Sequence, residues 1–147
     1  MAGKQFELEQ VLKYRLEMER ARKQEFAAAK KELDQASDFL KQQEVEAQGA
    51  AEEFSQRQAE FSSVEEMRRY ADYFERKRED IRRQKERVEQ LGVVLDERRE
   101  VLLDATKDKK VLESLKEKKA CEFRIERDQK EQGFMDEIAV QKQGDNN

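Results

Sequence analysis

The chain has 147 residues, 45% of them charged and 36% hydrophobic, with 31 basic and 35 acidic side chains giving a net charge of −4. That is a single-domain length with too little apolar matter for a thick globular core and enough for the seam between two helices. His is absent and Cys121 is the single cysteine. The commonest general base, the soft metal sites and any internal disulfide are thereby missing, so no enzyme and no cofactor are expected.

The first element is a long helix, predicted from about residue 5, near Lys4 to Phe6, to about residue 61. Leu12, Phe26, Leu33, Leu40, Ala47, Phe54 and Phe61 share one heptad phase, interrupted only by Glu19. Leu8, Ala29, Ala36, Ala50 and Val64 fill the companion phase. A spacing of 3.5 residues makes a seam that needs a partner helix. Small Ala29 and Ala36 alternating with Leu33 and Leu40 favour close approach of that partner. Gly49 costs about 1 kcal/mol of helix propensity and predicts at most a mild bend.

A turn is expected at about residues 62–64. Ser63 followed by Glu66 reads as a capping box, with Glu65 also in the first turn. The second helix then runs from about residue 64 to about residue 141, with a frayed polar tail over 142–147. Phe74, Ile81, Val88, Leu95 and Leu102 carry its seam, accompanied by Leu91, Ala105 and Leu112. Lys109 and Lys116 fall where that series wants apolar residues, so the phase is expected to shift onto Leu112 and Leu115. Glu65–Arg69, Asp72–Arg76 and Glu79–Arg83 are spaced as helical ion pairs. At 1.5 Å per residue the second helix is on the order of 110 Å long against roughly 80 Å for the first, so it should overhang.

Two similar halves around one break indicate an antiparallel two-helix coiled-coil hairpin, an all-α single domain. The rival is a parallel dimer of a generic structural coiled coil. Disorder is disfavoured because a disordered polar chain keeps no register. Charges of both signs are intermixed rather than gathered on a basic face, which argues against nucleic acid. No apolar run reaches the roughly 20 residues that cross a bilayer, and Met1 to Gln10 lacks a signal-peptide core, so a cytoplasmic protein without membrane insertion is expected.

Three segments exceed what a plain hairpin requires. Met67, Tyr70, Tyr73 and Phe74 place aromatics beside the turn, where they cap the seam or meet a protein. Lys107, Lys109, Lys110, Lys116, Lys118 and Lys119 form a basic run, either a solvated face or a docking surface for an acidic protein. The chain ends bring Phe6, Leu8, Val11 and Leu12 to the same end as Phe134, Met135 and Ile138.

These blocks carry a resemblance. Phe6-x-Leu8-x-x-Val11-Leu12-x-x-Arg15, then Ser63-x-x-Glu66-x-x-x-Tyr70-x-x-Tyr73 and Ile81, then Leu112-x-x-Leu115-Lys116-x-Lys118-Lys119 and Gly133-Phe134-Met135-Asp136-Glu137-Ile138-Ala139 resemble, in order, the FliJ family of the bacterial flagellar type III export apparatus. Gly133 departs from the family's preference for a helix former there. The resemblance implies an antiparallel coiled coil similar to the central stalk of rotary ATPases. It implies a protein that sits in the pore of a hexameric export ATPase, promotes ring assembly and hydrolysis, contacts the membrane export gate and escorts substrate chaperones at the cytoplasmic face of the inner membrane. Carried over by position, the ATPase contacts would be Phe6, Leu8, Val11, Leu12, Asp136, Glu137 and Ile138. Gate and chaperone contacts would fall at Tyr70, Tyr73 and Lys77. The equivalent stalk of a virulence-type injectisome is the nearest alternative.

Overall fold

The computed structural model describes residues 6–61 and 63–145. Helix α1 spans Glu9–Arg57, a 3-10 turn spans Gln58–Glu60, and α2 spans Val64–Asp145, with no strand among the described residues. The absence of Pro leaves both ladders of hydrogen bonds unbroken. Both helices continue through their glycines, and a side chain at Gly49 or Gly133 would stand in open space.

The ends differ from the sequence expectation in instructive ways. Glu9 N–H donates to the Phe6 carbonyl at 3.1 Å, so the helix proper begins at Glu9, later than the expected start. Lys4 and residue 5, where that start was placed, lie outside the described residues. At the far end α1 gives way to the 3-10 turn after Arg57, and Phe61 turns extended (φ −67°, ψ 125°). Ser62 of the expected turn also lies outside the described residues. Ser63 Oγ accepts the Glu66 N–H at 3.3 Å, satisfying one of the orphan donors of the new helix. At its C-terminus α2 continues to Asp145 rather than fraying from residue 142, with Lys142 in its last turn against the helix dipole.

Two compact units divide the chain: Arg22–Leu102, and Met1–Ala21 with Leu103–Asn147. In the Arg22–Leu102 unit the helices run antiparallel. Facing pairs are Glu25–Arg98 (3.8 Å), Glu32–Arg87 (3.2 Å), Glu46–Lys77 (2.6 Å) and the rings of Phe54 and Tyr70 (5.3 Å), so the α2 number falls as the α1 number rises. The heptad residues Leu33, Leu40, Phe54, Phe74, Ile81, Val88, Leu95 and Leu102 are all half-buried on the shared face. Two helices bury each other's stripe only in part; the most buried apolar positions of this unit are the small Ala29 and Ala36, 9% and 8% exposed.

In the other unit α1 and α2 are again antiparallel, with Glu9 facing Lys116 (2.9 Å) and Glu19 facing Lys109 (3.0 Å). Here the seam departs from the expected phase shift. Leu112 and Leu115 are half-buried as expected, but Lys109 stays in the seam as well. Glu19, the interruption of the first series, is only 5% exposed and Leu12 likewise 5%. The two polar breaks meet one another, so neither series has to abandon its phase. From Lys116 to Glu137 every α2 residue is exposed, because α1 begins opposite Lys116 and supplies no facing helix beyond.

Candidate binding surfaces

Near the turn, five rings gather. Phe54 lies within 5.3–5.8 Å, centre to centre, of Phe61, Tyr70 and Phe74. Tyr70 also reaches Phe61 at 5.3 Å and Phe74 at 6.3 Å, while Tyr73 sits edge-on to Phe74 at 5.7 Å. The tilted and edge-on angles are those aromatic quadrupoles favour. The Tyr70 hydroxyl completes the arrangement, donating to Glu53 Oε1 (3.4 Å) and accepting from Arg57 Nη1 (3.3 Å). Heptad phase places Phe54 and Phe74 in this cluster. It does not place Tyr70 there, which depends on how the chain turns after Phe61.

Lys77 lies a little farther from the turn, and its side chain is 11% exposed. Its ammonium donates to Glu46 Oε2 at 2.6 Å and lies 5.8 Å from the Tyr73 ring centre. The hydrogen bond and charge of Lys77 lower the Glu46 carboxyl below its usual value, and donating that hydrogen bond to Glu46 raises Lys77. Tyr70 and Lys77 are engaged across the helix pair, while Tyr73 contacts Phe74 and Lys77 on its own helix. The large apolar side chains left outward around the turn are Val64, 71% exposed, and Met67, 41% exposed.

At the other candidate surface the sequence-predicted residues separate. Phe6 is half-buried, Leu8 and Val11 are partly exposed, and Leu12 is buried in the seam. Asp136 and Glu137 are exposed and Ile138 half-buried. They lie some twenty residues past the Lys116 that faces the start of α1, about 30 Å farther along α2. The two sets are not brought together. Around the second set, Phe134, Met135 and Val140 are each more than 60% exposed, with Phe123 and Ile125 exposed upstream. That is a large apolar content for an unpartnered helix.

The basic run is only partly available. Lys109 is held by Glu19 and Glu113 and Lys116 by Glu9, while Lys107, Lys110, Lys118 and Lys119 are exposed. Of the spaced helical ion pairs, Glu79–Arg83 forms at 3.4 Å and Glu79 also pairs with Arg82 at 2.6 Å. Glu65–Arg69 and Asp72–Arg76 make none among the described residues, as exposed pairs contribute too little to fix their geometry.

The electrostatics favour fixed charge over proton transfer. Glu79 is lowered by its hydrogen bond from Arg82, and Arg82 is raised by the same contact. Lys109 is raised by its hydrogen bond to Glu19, and Arg57 by the Tyr70 phenol and Glu53. Every one of these shifts moves a group away from neutral pH, the reverse of what a general acid or base needs. Among the described residues no group of three His, Cys, Asp or Glu side chains is placed to hold a metal ion. No helix among them is long and apolar enough to cross a membrane.

Compared with known families, the chain matches the one described as Flagellar FliJ protein over residues 4–147. No curated protein and no solved structure matches it.

Proposed function

This chain belongs to the FliJ family, and from that premise we propose that it serves the flagellar export apparatus as a non-catalytic stalk, binding the hexameric export ATPase and promoting its assembly and activity. The observation that carries the reading is the family match across essentially the whole chain. Contacts with the export gate and escort of substrate chaperones belong to the same proposal, as does peripheral association with the cytoplasmic face of the membrane.

The physical mechanism is differential contact. An asymmetric helix pair inside a ring of identical subunits touches them unequally. It lowers the free energy of those ring states that fit it and biases hydrolysis among the sites. No catalytic group has to come from the stalk. The exposed apolar residues Phe134, Met135 and Val140, beside Asp136 and Glu137, suit a segment that inserts into another protein. Leu12 is spent on the internal seam, so its share in ring binding is indirect, holding α1 in place.

The test pairs capture with kinetics. The full chain is used as bait in cytosol of its own organism, and hydrolysis by any captured ATPase is measured with the full chain and with Phe134–Asn147 deleted. Recovery of a hexamer-forming secretion ATPase, stimulated by the full chain and not by the truncated one, is the expected result. Recovery with a virulence secretion system's proteins moves the assignment to the injectisome. Recovery of only the chain itself removes the stalk reading, and full stimulation by the truncated chain removes the placement at the C-terminal segment.

A further inference from the structure

A helix that carries a heptad seam can pair with any helix that carries another, including a second copy of itself. Two parallel, in-register copies place each seam residue against its own duplicate. For most of this seam that exchange is harmless, because Leu33, Leu40, Ile81, Val88 and Leu95 would meet Leu, Ile or Val. The charged positions distinguish the two arrangements.

Glu19 and Lys109 occupy seam layers of α1 and α2, and face each other at 3.0 and 3.2 Å with side-chain exposures of 7% and 17%. Other opposed charges flank the seam, most of them more exposed. Arg15 meets Asp108 at 3.3 Å, Lys77 meets Glu46 at 2.6 Å, and Arg98 meets Glu25 at 3.8 Å. In the antiparallel intrachain pairing each of these charges finds its opposite. In a parallel pair of chains Glu19 would face Glu19, Lys109 would face Lys109, and Lys77 would face Lys77. Like charges held in a partly desolvated layer repel, and the cost rises with burial. Of these pairs, Glu19–Lys109 is the most deeply buried, so its exchange carries the heaviest penalty.

We propose that the Glu19–Lys109 pair, flanked by the other opposed charges of the seam, is the device that commits this chain to pairing with itself and bars the parallel homodimer its apolar heptads would otherwise permit. The proposal is independent of the export-apparatus reading, since it concerns the isolated chain. A buried ion pair is weak in net stability, and two apolar residues of similar size often hold the same place as well or better. Its contribution here is selection of the partner.

Two double variants of the full chain separate selection from stability. In Glu19→Leu/Lys109→Leu both charges go and the layer becomes apolar. In Glu19→Lys/Lys109→Glu the charges trade places, keeping attraction within the hairpin and repulsion between copies. Self-association is read by sedimentation equilibrium, with helicity by circular dichroism confirming that each variant is folded. The parent and the swapped variant are expected to remain monomeric. The double-leucine variant is expected to melt no lower than the parent and to dimerise at least about tenfold more tightly. A double-leucine variant as monomeric as the parent would overturn the proposal. So would a folded swapped variant that dimerises, since it keeps every charge that opposes parallel pairing.

Discussion

Lys77 Nζ lies 2.6 Å from Glu46 Oε2 across the two helices and 5.8 Å from the centre of the Tyr73 ring. A lysine so placed ties α2 to α1 before it can serve any partner. Lys77→Ala and Glu46→Ala are each expected to lower the melting temperature, and the double variant to fall less than the two together, since the second change removes nothing the first has left. Additive effects in that cycle would mean the contact contributes nothing to pairing.

The ring cluster gives a sharper contrast. Phe54 touches three other rings, and Phe54→Ala is expected to cost about 2–3 kcal/mol in urea unfolding, the low end for a truncated phenylalanine because the site is half-buried. Tyr70→Phe keeps the ring and loses only exposed polar contacts with Glu53 and Arg57, so it should leave stability nearly unchanged. If any defect in partner binding appears in Tyr70→Phe without a change in unfolding, the hydroxyl itself is being recognised.

Stability against pH follows from the shifted groups. Glu46 and Glu79 are lowered from 4.5, so their contribution is present above that value and is lost as pH falls through the folded values. Lys77 and Lys109 are raised from 10.5, so theirs is present below that value and lost as pH rises through the folded values. With no His in the chain, no side chain with an ordinary pKa near neutrality intervenes. Melting temperature is therefore expected to be level from about pH 5.5 to about pH 9.5 and to drop on both sides. A transition near pH 7 in a series of thermal melts would contradict this.

The seam and the free segment of α2 should respond in opposite ways. Leu95→Asp puts a carboxylate into the interface and is expected to destabilise by about 3 kcal/mol, read from the urea midpoint. Deleting Phe134–Asn147 removes a segment that no helix faces among the described residues, so the same midpoint should hardly move. A large loss on truncation would show that the segment packs on the rest of the chain.

The sequence by itself determined the helices and the face they share. Heptad spacing is a local property, set by 3.6 residues per turn, and Leu33, Leu40, Ile81, Val88 and Leu95 are each half-buried. The cap at Ser63 was legible for the same reason, since donor and acceptor are three residues apart. The family resemblance, too, was carried by ordered local blocks. Only the tertiary structure decided which residue meets which. Glu19 and Lys109 each read alone as a fault in a repeat, because their attraction acts between positions ninety residues apart. Tyr70 read equally as a cap on the seam and as a protein contact, and Lys77 as a contact implied by resemblance, until the helix pairing set them against Phe54 and Glu46. The terminal residues read as one surface until the register set the start of α1 against Lys116, leaving Asp136 and Glu137 beyond its reach. Periodicity fixes a face, while pairing depends on where the chain reverses and on which charges then come into opposition.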